Sequence, residues 1–129
     1  IVEMSTLTGA MVIALGHHFA GAVSYESEWL DSVMSATEAA GDHAWHLPMH
    51  DAYKKSMNSQ IADMVNAGAR PAAPISAALF LQHFAQETPF VHLDIAGVAM
   101  LPKPNGYHTV KGASGWGVRL LVDLAENAQ

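Results

Sequence analysis

The chain has 129 residues, half of them hydrophobic and 14% charged, so residues 1–129 suit a single domain with a buried core. Its net charge is −6 with only six lysines and arginines, which excludes the basic patch of a nucleic-acid-binding protein. The lack of cysteine excludes disulfides and thiolate metal sites and suits a cytoplasmic protein.

The start of the chain has the sequence pattern of neither a membrane span nor a signal peptide. Its apolar run from Ala10 to Leu15 is far shorter than the roughly 20 residues of a transmembrane helix. The basic region of a signal peptide is missing, and Glu3 precedes the apolar run. Because the chain opens on Ile1 inside an apolar segment, we interpret its N-terminus as cut or processed.

The first quarter of the chain predicts three short strands followed by a helix. The strands are the apolar runs Ile1 to Leu7, Met11 to Leu15 and Phe19 to Ser24, which glycines separate. From Glu26 to Ala40, apolar residues recur at the three-to-four spacing of one helix face, and Gly41 is a suitable stop.

The middle of the chain predicts an irregular stretch, a strand and a buried helix. The segment His43 to Lys55 is interrupted by a proline, and the short apolar run Ile61 to Val65 reads as a strand. Pro74 is suited to the first position of a helix that runs to about Gln86.

The last third predicts a strand, a loop and a final helix. Phe90 to Ile95 has the strongest strand pattern, and Leu101 to Gly112 reads as a loop rich in proline and glycine. Ser114 is a candidate cap for a helix whose predicted core stripe is Val118, Leu121, Val122 and Ala125. Strands separated by helices predict an α/β layered domain with a mostly parallel central sheet flanked by helices.

Histidines are the first candidates for chemistry. His43, His46 and His50 are closely spaced, but no acidic residue completes an H-E-x-x-H pattern and Pro48 interrupts the segment. They are either exposed loop histidines or an adventitious metal site. His92 lies in the strongest strand, where a buried, hydrogen-bonded imidazole is the simpler interpretation than a ligand.

Two carboxylates and two glycine-containing segments are the other candidates. Asp63 and Asp94 each lie in an apolar run, so they either tie loops together or serve a site at a strand end. The G-A-S-G-W-G segment around Ser114 lacks the spacing of a nucleophile elbow, although its backbone could approach an anion. Thr6 to Ala10 follows a predicted strand, and Gly9 would let the backbone approach a ligand closely.

Four sequence words carry a resemblance to a known family. They are S-T-L-T-G-A from Ser5, A-D-M-V-N from Ala62, H-L-D-I-A-G from His92 and K-G-A-S-G-W-G-V-R-L-L from Lys111. In this order they resemble the C-terminal part of the catalytic domain of the leucyl (cytosol) aminopeptidases. D-H-A-W-H-L-P from Asp42 resembles the family's G-E-x-x-W-x-L-P, with Asp42 in place of the usual glutamate.

The resemblance implies a metal-dependent aminopeptidase that removes N-terminal residues, often leucine, from peptides. The family uses two divalent ions, zinc or manganese, and assembles as a cytoplasmic hexamer. Its metal-binding motif, N-T-D-A-E-G-R, lies just upstream of T-L-T-G-A and is absent here, so no catalytic residue or metal ligand carries over. The resemblance therefore implies a segment that is inactive alone.

The residues that do carry over form the wall of a peptide site. Thr6, Leu7 and Gly9 match positions that border the substrate, with backbone groups of Leu7 and Gly9 in contact with it. Ala96 and Ala99 match the lining of the pocket for the first side chain, and the family usually has a larger residue near Ala99. The alternative is a stand-alone, non-catalytic binding or oligomerisation domain on the same scaffold.

Overall fold

A computed structural model describes residues 1–25, 27–106 and 111–127 of the chain. The elements within these ranges are β1 (Val2–Ser5), α1 (Gly9–Leu15), β2 (Ala20–Val23), α2 (Ser27–Ala40), β3 (Ala44–His46), a 3-10 helix (Asp51–Met57), α3 (Ala73–Ala85), β4 (Val91–Asp94), β5 (Met100–Leu101), β6 (Gly112–Ala113) and α4 (Val118–Asn127). No helix in the described ranges is both long and apolar enough to cross a membrane.

Four strands form a mixed sheet in the order β1-β4-β2-β3. The outer pairs, β1 with β4 and β2 with β3, are parallel, whereas the central pair of β4 and β2 is antiparallel. The predicted α/β class is confirmed. The central antiparallel pair was not predicted, because the alternation of strands and helices along a chain does not report the direction of a strand inserted between two others.

Helices α2 and α4 pack on one face of the sheet. Ala22 and Leu93 are register partners on β2 and β4, and they share a buried cluster with Val33 of α2 and Leu120 of α4. All four side chains are fully buried. The main hydrophobic core therefore lies between this face and the two helices.

Helix α1 packs on the opposite face of the sheet, where a strand had been predicted from Met11 to Leu15. Met11 is fully buried and lies over Gly21 of β2, so a Cβ at Gly21 would overlap its side chain. The helix ends at Gly16, whose N–H donates to the carbonyl of Val12 at 3.0 Å. The strand prediction is wrong because a five-residue apolar run has no periodicity that separates strand from helix.

The two longer helices match their predictions closely. Within the described residues α2 begins at Ser27 and stops at Gly41, which has the left-handed φ of 70° that favours glycine. Helix α3 begins one residue before Pro74 and contacts α1, β2 and β4. Phe84 near its end is 64% exposed, so the burial predicted for this helix holds only in its first half.

The segment Ile61 to Val65 is not a strand. Ile61 is 98% exposed, and its N–H and that of Ala62 both donate to the hydroxyl of Ser59. A serine side chain that captures the following N–H groups forms a turn and removes them from any strand ladder. Asp63 is consequently exposed and lies outside the sheet.

Two predicted irregular segments contain short elements. The stretch from His43 to Lys55 includes β3 and most of the 3-10 helix, and β3 pairs in parallel with β2. The predicted loop from Leu101 to Gly112 joins β5 to β6, which pair with each other. Residues 107–110 of that loop lie outside the described ranges.

The final helix exists as predicted but buries a different face. Leu120 is fully buried and Leu124 packs against the core, whereas Val118, Leu121 and Val122 are 62%, 41% and 53% exposed. The predicted core stripe is therefore wrong. The sequence carries two apolar stripes on this helix, and packing against α2 selects the one that contains Leu120.

Candidate functional site

The carboxyl ends of β1 and β4 bring the two most specific sequence words together. The strands are parallel, Ser5 is the register partner of Asp94, and the N–H of Ile95 donates to the Ser5 carbonyl at 2.9 Å. The segment T-L-T-G-A leaves β1 where D-I-A-G leaves β4. Open α/β sheets place ligands outside the carboxyl ends of their strands, which makes this edge the candidate site.

Asp94 joins the two segments through its side chain. Its Oδ2 accepts hydrogen bonds from the backbone N–H of Thr8 at 3.2 Å and from the Thr8 hydroxyl at 2.7 Å. Its Oδ1 accepts from the N–H of Ala96 at 3.1 Å. The Asp94 side chain is fully buried, so these bonds supply the partners that a buried carboxylate needs.

The residues expected to border a substrate lie beside the hydrogen-bonded pair of Asp94 and Thr8 and are accessible to solvent. Thr6, Leu7 and Gly9 are exposed, whereas Thr8 between them is buried. A Cβ placed on Gly9 would meet no atom within 4 Å, so the surface beside it is open. Gly9 has no left-handed φ, and neither local geometry nor internal packing explains a glycine at this position.

Ala96 and Ala99 lie in a tight turn after β4, and both are partly exposed. The N–H groups of Val98 and Ala99 both donate to the Ile95 carbonyl, which closes the turn. Ser114 holds it from the other side, since its N–H donates to the Ala99 carbonyl at 3.0 Å and its hydroxyl donates to that of Val98 at 2.6 Å. The backbone of this turn is thus fixed from two directions.

The end of α1 anchors the same turn. A Cβ on Gly97 would collide with the carbonyl oxygen of Gly16, so only glycine permits this approach. The Nδ1–H of His17 donates to the Gly97 carbonyl at 2.6 Å. Of the adjacent pair His17 and His18, the first therefore has a structural contact that its sequence context did not indicate.

The dense histidine cluster does not assemble into a metal site. His43, His46 and His50 are all exposed, and the Nδ1 of His50 accepts from the N–H of Ala52. In the part of the chain that the structure describes, no three histidine or carboxylate side chains are arranged to hold a metal ion. The described residues therefore do not fit a dinuclear metal centre.

His92 is fully buried, as expected for an imidazole within the strongest strand. Its Nδ1 is in hydrogen-bond contact with a carboxylate oxygen of its register partner Glu3. Its Nε2 has no hydrogen-bond partner among the described residues. Among the described residues, His92 thus links β4 to β1 through its Nδ1 alone.

The G-A-S-G-W-G segment is held by internal contacts. The Ser114 hydroxyl accepts from the N–H of Trp116 at 3.1 Å, and α4 begins four residues after Ser114, so it is not the predicted helix cap. A carboxylate oxygen of Asp42 accepts instead from the N–H of Gly117 at 3.0 Å. The anion at this helix start is therefore a carboxylate of the chain itself.

Sequence reasoning missed Thr8 and Asp42 as contact-forming residues. Thr8 stands inside the T-L-T-G-A word, and its partner Asp94 is 86 residues away. Asp42 stands where the resembled motif has a glutamate, and its partner Gly117 is 75 residues away. The signal available for Thr8 was its partner Asp94, an acidic residue in an apolar run, which demands a partner without naming it. Asp42 lies between Gly41 and His43, and this context gave no such signal.

Comparisons with known proteins agree on one family. The catalytic domain of the cytosol aminopeptidase family matches residues 1–122. Probable cytosol aminopeptidases of Nostoc punctiforme and Gloeobacter violaceus are 47% and 48% identical to the chain, over 95% of its length. A mutant of tomato leucine aminopeptidase superposes with a TM-score of 0.85 at 39% identity, over 95% of this chain and 23% of that one.

The chain therefore belongs to the cytosol aminopeptidase family and corresponds to part of its catalytic domain. It spans about a quarter of the length of the curated relatives that it matches.

Proposed function

We propose that the chain is the C-terminal part of the catalytic domain of a metal-dependent leucyl aminopeptidase, which hydrolyses N-terminal residues from peptides. The observation that carries this proposal is the edge where Asp94 joins T-L-T-G-A to D-I-A-G and leaves Thr6, Leu7 and Gly9 exposed. The names of the related proteins support the same activity.

In this proposal the segment contributes one wall of the substrate site. An extended peptide binds through backbone hydrogen bonds, which the backbone groups of the exposed residues Leu7 and Gly9 would supply. The open space beside Gly9 leaves room for the peptide to approach. Ala96 and Ala99 would line the pocket for the first side chain, and their small size leaves volume for a residue such as leucine.

The hydrolytic chemistry belongs to the rest of the parent protein. The family implies two divalent ions, zinc or manganese, but the described residues offer no group of ligands for them. We propose that the metal ligands and catalytic residues lie in the remaining three quarters of the length seen in the relatives. The isolated chain would then bind no catalytic metal and would be inactive.

The resemblance to the family also supports two properties of the complete protein. We propose that it forms a homo-oligomer, a hexamer as in the family, and that it acts in the cytoplasm. The name of the related cytosol aminopeptidases and the lack of cysteine support that location.

The test compares the complete parent protein with the isolated chain in an assay for chromophore release from a leucine amide. With zinc or manganese added, we expect chelator-sensitive turnover by the complete protein and none by the chain above a no-protein control. A folded, metal-loaded parent without turnover would favour the non-catalytic binding domain. Chelator-sensitive turnover by the isolated chain would show that the metal site is not missing from it.

A further inference from the structure

One carboxylate accepts all the hydrogen bonds that residues 6–9 make to the segment 94–99 that ends β4 and turns after it. The ladder between β1 and β4 extends as far as the bond from Ile95 to Ser5. Past that point, every hydrogen bond that the described structure forms between residues 6–9 and residues 94–99 ends on Asp94. The side chain of Asp94 therefore determines where T-L-T-G-A lies relative to the turn after β4.

The same carboxylate also shapes that turn. By accepting from the N–H of Ala96, Asp94 fixes the first residue of the segment expected to line the side-chain pocket. Gly97, which lies in this turn, packs against the Gly16 carbonyl at the C-terminal end of α1 and accepts a hydrogen bond from His17. Helix α1 is therefore attached to the turn at both of its ends, and the exposed residues at its start have a defined position.

Asp94 is too deeply buried to touch a substrate. Its side chain is fully buried, whereas Thr6, Leu7 and Gly9 around it are exposed. An effect of Asp94 on a bound peptide must pass through the two loops that it joins. A charged acceptor makes stronger hydrogen bonds than a neutral one, which suits a contact that holds two loops in register.

We infer that Asp94 is a positioning residue for the peptide site. It sets the separation between the wall formed by residues 6–9 and the wall formed by Ala96 and Ala99. This inference rests on the proposed aminopeptidase function. Reacting groups must be placed accurately, since a displacement of about 1 Å can cost on the order of a hundredfold in rate.

The test uses the complete, metal-loaded parent protein with the variants Asp94→Asn, Thr8→Val and Thr8→Ser. Asp94→Asn retains one carbonyl oxygen, so the backbone N–H of one of the two loops, that of Thr8 or that of Ala96, loses its side-chain acceptor. Thr8→Val removes the hydroxyl donor at nearly constant shape, and Thr8→Ser restores it. Melting temperature, kcat and KM for leucine peptides are measured on each protein.

The matched control is Asp42→Asn. Asp42 is also a buried aspartate that accepts a backbone N–H from a distant segment, but its partners, the N–H of Gly117 and the guanidinium of Arg119, lie at the start of α4. Asp42→Asn therefore measures the loss of stability and activity that follows when a buried carboxylate loses a contact outside the candidate peptide site. Any loss of activity that follows from reduced stability alone should appear in this control to the same extent.

We expect Asp94→Asn to lower kcat/KM by about ten- to a hundredfold, the range that a loop displacement of this kind allows. Thr8→Val should lower it less, Thr8→Ser should remain near the wild type, and Asp42→Asn should lose melting temperature without a comparable loss of kcat/KM. Amide exchange at Thr8 and Ala96 should be faster in Asp94→Asn, which is a readout independent of turnover.

The inference is overturned if Asp94→Asn and Asp42→Asn lose kcat/KM equally for equal loss of melting temperature. If Asp94→Asn does not fold, Thr8→Val decides, and unchanged kinetics of that variant overturn the inference. Inactivity of the metal-loaded wild type would instead overturn the proposed function, and this separates the two failures.

Discussion

Asp42 and Gly117 are 75 residues apart in the chain, yet a 3.0 Å hydrogen bond joins the Asp42 carboxylate to the N–H of Gly117 at the start of α4. The other carboxylate oxygen accepts from the guanidinium of Arg119 at 3.2 Å, and the Asp42 N–H donates to the backbone carbonyl of Thr37 in α2. One aspartate thus ties the end of α2 to the beginning of α4. Its negative charge also lies where the helix dipole favours it.

We predict that Asp42→Ala lowers the free energy of unfolding by about 1–3 kcal/mol, the usual cost of leaving a buried polar group unpaired. Urea unfolding of the chain measures this difference. Asp31→Asn, which changes an exposed carboxylate on α2, is the control and should leave the midpoint unchanged. Equal midpoints for Asp42→Ala and the wild type would show that the contact does not stabilise α4.

The two faces of α4 give a second prediction. Leu120→Ala should cost about 2–5 kcal/mol, because it opens a cavity in a filled core. Leu121→Ala, at a neighbouring position that is 41% exposed, should change the free energy of unfolding by roughly 0.5 kcal/mol or less. Chemical denaturation of both variants compares them directly, and the reverse order would mean that α4 is rotated about its axis.

Substitution by alanine should affect stability differently at two glycines of the candidate site. Gly9→Ala places its Cβ in open space in the first turn of α1, so it should leave the chain as stable or raise stability by up to about 1 kcal/mol. Gly97→Ala forces its Cβ against the Gly16 carbonyl and should destabilise by about 1–3 kcal/mol, as overpacking does. Thermal unfolding distinguishes the two.

If the parent protein has the proposed aminopeptidase function, Gly9→Val should reduce its peptide turnover far more than its melting temperature. The backbone at Gly9 does not have a left-handed φ, so a branched side chain there meets no conformational barrier that would by itself lower stability. The branched side chain would instead occupy the space proposed for the peptide. Normal turnover by a folded Gly9→Val parent protein would contradict the proposal that this segment borders the peptide site.

Asp51 provides a prediction about pH. The hydrogen bond from Lys54, followed by that from Tyr25, lowers the pKa of the Asp51 carboxyl below its ordinary value. Its contribution to stability is therefore present above the unfolded pKa of about 4 and is lost as pH falls through the lower folded pKa. Lys54→Met should raise the pKa of Asp51, which carboxyl NMR titration detects.

The stability difference between the wild type and Lys54→Met should disappear in strong acid, where Asp51 is protonated in both proteins. Lys55→Met, which removes the neighbouring lysine, is the matched control. An unchanged pKa of Asp51 in Lys54→Met would mean that the 2.9 Å contact between Lys54 and Asp51 does not persist in solution.

Local sequence patterns were sufficient to predict the helices and strands that depend mainly on residues adjacent in the chain. The spacing of apolar residues predicted α2, Pro74 marked the start of α3 to within one residue, and the apolar run around Leu93 predicted β4. Four words in their shared order, which include S-T-L-T-G-A and H-L-D-I-A-G, predicted the family, and the family match confirms it. A specific order of residues is readable without coordinates.

Contacts across the fold decided the rest. The run Met11 to Leu15 is helical because Met11 is buried over Gly21, and α4 buries Leu120 because that stripe faces α2 and the sheet. Local periodicity determines neither outcome, since the run from Met11 to Leu15 suits a strand or a helix and α4 has two apolar stripes. The partners of Asp94 and Asp42 stand 86 and 75 residues away, and a buried carboxylate requires donors without specifying which segments provide them.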